Sequence, residues 1–262
     1  MIIDGHAHVV LPAEHHIEMM DGAGVDKTVL FSTLIHPEQA DGAQGLREEM
    51  QRLNDIISGT GDAAGPRAAS MQELQESIAR YPDRFIGFAS VPLGLSYPET
   101  LHYVENLFAG YRYAGFGEFT LASGQIGLLE PVFMASSDMG RLPIWIHAFN
   151  PLVLSDIQEI AGLAQSYPGV PVILGHLGGS NWLESLELAR GIPNLYLDIS
   201  AWFSALVLKI VINELPDKCL FGTDLPYGDL QIDKDAVTKL AGSPSVAHAV
   251  LGENMARLLK LC

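Results

Sequence analysis

Met1-Ile2-Ile3-Asp4-Gly5-His6-Ala7-His8-Val9 opens the chain, and its reading decides the fold. The run 2–9 is short, apolar and β-branched, as a buried strand is. A doubly wound nucleotide-binding sheet would put a glycine-rich turn directly after such a strand. Here Gly5-His6-Ala7-His8 stands in that place. Comparable runs recur at 27–33, 84–91, 114–120, 142–147, 170–176, 194–199 and 218–223. Helical patterns lie between them at 71–81, 97–109, 125–139, 155–167, 180–190, 201–215 and 234–240. Strands alternating with helices build right-handed βαβ units and a parallel sheet. From Val91 onward the strands recur roughly every 25–30 residues, close to one βα unit of a closed barrel. No break in composition marks a second domain. The expected fold is an α/β, single-domain (β/α)8 TIM barrel over 1–262, with a doubly wound open sheet as the alternative.

One connection breaks the rhythm. The segment 36–70 is longer than a helix needs; it has a helical pattern at 45–57 and then Ser58-Gly59-Thr60-Gly61-Asp62-Ala63-Ala64-Gly65-Pro66. At the carboxyl end of a barrel strand such an insertion is positioned to act as a lid, and a surface insertion without a role is the plain alternative. Arg47, Arg52 and Arg67 lie in it, available to an anionic substrate or else solvated.

Composition narrows the function. The 262 residues carry 15 Lys+Arg against 31 Asp+Glu, a formal net charge of −16, which opposes binding to a phosphate backbone. Nucleic acid is therefore not an expected partner. No run approaches the ~18 apolar residues of a membrane span, and the most apolar stretch, 201–215, carries Ser204, Lys209, Asn213 and Glu214. The amino terminus has no basic and apolar leader pattern. Two cysteines, Cys219 and Cys262, make no disulfide framework, so a reducing cytoplasm is expected. The expected partner is a small-molecule substrate; a homo-oligomer is compatible with the sequence.

The chemistry concentrates at strand ends. His6 and His8 stand two apart on one strand, so their side chains share a face and can meet one cation. Glu118, His147, His176 and Asp224 each close a later apolar run, and in a barrel those ends converge on one mouth. Three or four imidazoles and two carboxylates buried together without a cation would leave uncompensated polar groups, each costing a few kcal/mol. Other candidates carry less. His15, His16 and His36 follow the first and second strands, where they can line the mouth, although adjacent histidines in a polar segment such as His15 and His16 are expected to face solvent. His102 and His248 fall in helical patterns as surface or packing residues. Asp198 and Ser200 either shape the substrate pocket or form a strand-end hydrogen bond. Trp145 shares the parity of His147, and Cys219 should face the helices and be inert.

Taken in order, these segments resemble the amidohydrolase superfamily of metal-dependent barrels, specifically the amidohydrolase-related branch that includes aminocarboxymuconate semialdehyde decarboxylase. The resemblance runs over nearly the whole chain: Asp4-Gly5-His6-Ala7-His8, Ile146-His147, Gly175-His176-Leu177-Gly178-Gly179, Tyr196-Leu197-Asp198-Ile199-Ser200, Leu220-Phe221-Gly222-Thr223-Asp224-Leu225-Pro226 and Gly252-Glu253-Asn254-Met255-Ala256-Arg257-Leu258-Leu259. It implies His6, His8, His147 and Asp224 as metal ligands, with His176 either assisting catalysis or holding a second metal. Many related barrels end the fourth strand in lysine; this chain has Glu118 there. Glutamate can bridge two cations, as in the branch resembling metal-dependent deoxyribonucleases, so one or two ions are open. The implied cofactor is a divalent metal, zinc first and manganese second.

The expected reaction follows from that ligand set. A divalent ion brings the pKa of water to about 7, with Asp224 moving the proton and His176 polarising a carbonyl. The expected enzyme is a metal-dependent hydrolase of a small amide, lactone or ester. The alternatives are a nonoxidative decarboxylase of a small carboxylic acid and a catalytically silent metal-binding barrel.

Overall fold

The computed structural model describes residues 1–57 and 64–261. Eight strands form one sheet in chain order: β1 (Ile3–His8), β2 (Lys27–Phe31), β3 (Phe85–Ala89), β4 (Gly115–Phe119), β5 (Ile144–Ile146), β6 (Val172–Leu174), β7 (Leu195–Asp198) and β8 (Cys219–Leu220). Every neighbouring pair from β1 to β8 is parallel. The chain beyond β8 then runs alongside β1, joined by Gly5 N to Phe221 O at 2.7 Å, Asp224 N to His6 O at 2.8 Å and His8 N to Leu225 O at 2.8 Å. These bonds close the sheet into the expected (β/α)8 barrel, and each expected strand run contains an observed strand.

Around the sheet lie α1 (Ala13–Ala23), α2 (Gly42–Ile57), α3 (Ala64–Arg80), α4 (Tyr97–Gly110), α5 (Glu130–Asp138), α6 (Leu154–Ser166), α7 (Trp182–Gly191), α8 (Ala205–Glu214), α9 (Leu230–Leu240), α10 (Pro244–His248) and α11 (Asn254–Leu259). Alternation along the strands splits the apolar residues into two sets. The larger set lies between sheet and helices. The smaller, with Ile3, Val29, Phe31, Phe88, Trp145, Ile173, Leu220 and Met255, fills the barrel. Each such side chain contributes about 1.5–3 kcal/mol by leaving water. No described helix is long and apolar enough to cross a membrane.

Two irregularities aim the site. On β1, Asp4 pairs with Thr28 but Ala7 with Leu30, so β1 gains one residue on its neighbour. The extra residue lets Ile3 fill the barrel interior while His6 and His8 also face the axis. Gly5 is required there, because a Cβ would overlap Met255 Cε and Phe221 O. On β4, Phe116 pairs with Ile144 and Phe119 with Ile146. Three steps oppose two, so Phe116 and Phe119 both pack outward while Glu118 turns inward. Gly117, at φ 133°, makes that turn beside the Trp145 carbonyl, where a side chain would not fit.

The connection after β2 differs from its reading. Residues 36–70 hold a 3₁₀ turn (Pro37–Gln39), α2 and the start of α3. Residues 64–66, read as loop, are the first turn of α3, where proline loses no helical hydrogen bond. Residues 58–63, the rest of the expected loop, and Cys262 lie outside the described residues. Helix α1 went unread, although its buried Ala13, His16, Met20 and Ala23 have helical spacing and Gly24 caps it at φ 68°.

Candidate metal centre

All six strand-end residues converge. His6 and His8 come from β1 and Glu118 from β4, while His147, His176 and Asp224 follow β5, β6 and β8. Glu118 stands in the middle with its two oxygens divided. Its Oε2 lies 3.4 Å from Nε2 of both His6 and His8. Its Oε1 lies 2.8 Å from His147 Nδ1 and 3.7 Å from His176 Nε2. Asp224 Oδ1 completes the first side, 3.3 Å from His8 Nε2 and 3.8 Å from His6 Nε2. Among the described residues, His6, His8 and Asp224 form one group with ligand atoms within 4.8 Å of one another and Glu118, His147 and His176 a second, while His6 and His176 form a third with Asp198 beneath them.

The back of each ring is held as well. His147 Nε2 meets the Asn150 carbonyl at 3.1 Å, which orients the ring with Nδ1 toward Glu118. Ser200 Oγ lies 3.1 Å from His6 Nδ1 and 2.9 Å from His176 Nδ1, leaving both Nε2 atoms toward the centre. His6 Nε2 is buried and has no hydrogen-bond partner, which is the condition of a ligand atom waiting for a cation. Neutral imidazoles with carboxylates form a donor set that divalent ions of the zinc and manganese type accept, so the residues fit such an ion.

Charge is arranged to match. Burial favours a neutral Glu118, but the rings of His147, His176 and His6 beside it outweigh that and hold the carboxyl well below its usual range. Asp224 is likewise lowered, its burial overcome by the hydrogen bond to His8 and the nearby His6 and His176. For His176 burial pulls downward, yet Glu118, Asp224 and Asp198 prevail and push it up to about 9. Both carboxylates are therefore ionised at neutral pH and available to a cation. His176 and Asp224 also leave their strands in left-handed backbone, at φ 52° and 59°. That conformation costs on the order of 1 kcal/mol for a residue with a Cβ and clusters at functional sites.

A cavity of about 370 Å³ opens over this centre, with His8, Glu118, His147, His176, Asp224 and Tyr227 in its floor and wall. Arg67 from α3 lines it too, its Nη1 3.3 Å from Ser90 Oγ. Arg47 and Arg52 do not: Arg47 bonds Gln44, and Arg52 pairs with Glu49 at 2.8 Å. His15 is exposed as expected. His16 contradicts its reading; it is buried against Phe85 inside α1, and burial, His15 and Arg84 lower it to about 4 so that it packs as a neutral ring. His36 turns to Glu38 and Glu73, at 2.9 and 3.2 Å. His102 and His248 are exposed on α4 and α10. Trp145 lies under the site, its ring 4.0 Å from His6. Cys219 faces α8, its Sγ against Val211 O, and burial raises its thiol. Asp198 and Ser200 lie beneath the rings and not in the cavity wall, a role that only the β6–β7 register brings out.

Comparison with known proteins agrees with this architecture. A family model described as Amidohydrolase matches residues 3–261. No curated protein matches the chain. Among solved structures, 2,6-dihydroxybenzoate decarboxylase from Rhizobium is similar at 18% identity, with 99% of this chain and 98% of that one covered and a TM-score of 0.67. A dihydroxybenzoic acid decarboxylase from a Polaromonas species, with bound manganese and 2-nitroresorcinol, gives 18%, 99% and 97%, and 0.67. The 4-oxalomesaconate hydratase of Rhodopseudomonas palustris gives 16%, 99% and 96%, and 0.67. At such identities the structures share the fold, and the family match spans almost every residue. The chain belongs to the amidohydrolase family of metal-dependent enzymes.

Proposed function

We propose that this protein is a two-metal hydrolase of a small, carboxylate-bearing amide, lactone or ester. The observation that carries the reading is the split of Glu118, one oxygen toward His6 and His8 and the other toward His147 and His176. A bridging carboxylate needs that division. In this reading His6, His8 and Asp224 would hold one ion and His147 and His176 the other, zinc first and manganese as the next candidate. When bound, the ions supply Lewis acidity that activates water and polarises a carbonyl. Asp224 Oδ1, ionised and at the cavity floor, accepts the proton of the attacking water and returns it to the leaving group. His176 holds the opposite side of the scissile group. Arg67, the one arginine or lysine among the described residues lining the cavity, anchors the substrate's carboxylate away from the reacting bond.

Arg67 also favours a second reading, nonoxidative decarboxylation of a small carboxylic acid on the same centre. Zinc- and manganese-reconstituted protein assayed on carboxylated amides, lactones and esters, and on aromatic and muconate-like acids, separates the two. Hydrolysis without CO₂ release is expected. Release of CO₂ alone transfers the assignment to decarboxylation, and inertness of the fully metallated protein on both panels makes it a silent metal-binding barrel.

A further inference from the structure

We propose that Ser200 is a positioning residue that sets the tautomers in which His6 and His176 meet a cation: its hydroxyl donates to Asp198 and accepts from Nδ1–H of both rings, so that Nε2 of each is the nitrogen turned to the cations. The inference rests on the two-metal reading for its consequence, but its geometry stands apart. A serine hydroxyl has one proton and two lone pairs. Asp198 Oδ2 accepts backbone N–H bonds from His176 at 3.0 Å and Ser200 at 3.2 Å, and also faces Ser200 Oγ in a short contact. An oxygen collecting two amide protons takes the hydroxyl proton as a third. With its proton committed, Ser200 Oγ can only accept, and the two atoms left to donate are His6 Nδ1 and His176 Nδ1.

The surroundings hold these groups in place. Asp198, His6 and Ser200 are fully buried and His176 nearly so. Gly222 lies so close over Asp198 Oδ1 that even a Cβ would overlap it, which keeps the carboxylate in place. Each ring serves a different half of the centre, His6 beside His8 and Asp224, His176 beside His147 and Glu118. One hydroxyl therefore prepares a ligand for each cation. A carboxylate commonly orients a single metal-binding histidine directly; interposing a serine lets one carboxylate orient two.

The test uses the full-length protein, S200A and S200T, with zinc as the probe. Chelator competition gives affinity, and ¹⁵N spectra of the histidine rings locate their protons with and without zinc. In wild type, His6 and His176 should both carry a proton on Nδ1. S200A should weaken both zinc equivalents by about 10–100-fold and lose the exchange protection of both Nδ1 protons, while S200T, which keeps the hydroxyl, restores both. A missing Nδ1 proton on either wild-type ring overturns the proposal, and so does S200A with unchanged affinity and unchanged protons. Should S200A fail to fold, the wild-type spectra decide. Should wild type bind one zinc or none while both Nδ1 protons are present, the two-metal reading fails and the role of Ser200 in setting the tautomers survives.

Discussion

At the scale of single residues, burial and charge divide the work between Asp224 and Arg67. Asp224 holds its proton weakly, and its Oδ1 faces His6, His8 and the cavity. Asp224→Asn keeps the shape and removes the base, so kcat should fall about 10²–10⁴-fold with the fold intact by circular dichroism; turnover equal to wild type would remove the proton relay. Arg67→Met should raise KM for carboxylated substrates about 10–100-fold, the worth of a charged hydrogen bond, while leaving uncharged analogues unchanged. An equal loss on both would mean that Arg67 supports the wall of the cavity and not the ligand. The six centre residues were legible in the sequence because each ends an apolar run, and barrel closure brings strand ends together. His16 was not: it was read from its polar neighbours, when spacing from Ala13 to Met20 would have put it on the buried face of a helix.

At the scale of elements, the decisive features are the seam between β1 and the end of β8 and the extra residue in β4. Asp4 fastens the seam, accepting from His6 N at 3.2 Å, Thr223 N at 3.0 Å and Thr223 Oγ1 at 2.7 Å. Its burial dominates these bonds and, with nearby Asp198, pushes its carboxyl up to about 8. A folded pKa above the unfolded one means that the native state holds the extra proton. Stability from this group is therefore complete below about pH 4 and is lost as pH rises through 8. Asp4→Asn keeps the shape without the titration, so between pH 5 and 9 its urea midpoint should gain on wild type by the equivalent of a few kcal/mol. Parallel pH profiles for the two proteins would show that Asp4 does not titrate in this range. Strand parity predicted the shared face of His6 and His8 correctly. It could not predict Glu118 against Phe116, because by alternation the two share a face, and only the added residue at Gly117 separates them.

At the scale of the whole molecule, the barrel is a frame that gathers mutually repelling or unsatisfied groups at one end. The expected consequence is linkage between cation binding and stability. An ion at 100 times its Kd adds about 2.7 kcal/mol, which in a protein of this size is ~5–10 °C of Tm. Prolonged chelation should lower Tm by at least that much and abolish activity, with zinc or manganese restoring both; a Tm indifferent to chelator would mean that the centre holds no tight ion. The strand–helix rhythm and the absence of a nucleotide turn made the barrel readable from sequence alone. The start of α3 was hidden because glycine and proline at 65–66 read as a turn, although both are tolerated at a helix start.

The central claim is that Glu118 joins two cations. Anomalous diffraction from crystals of the zinc-reconstituted protein measures it directly. Two peaks are expected, one beside His6, His8 and Asp224 and one beside His147 and His176, with a Glu118 oxygen on each. A single peak with Glu118 turned aside, or no peak at all, would contradict it.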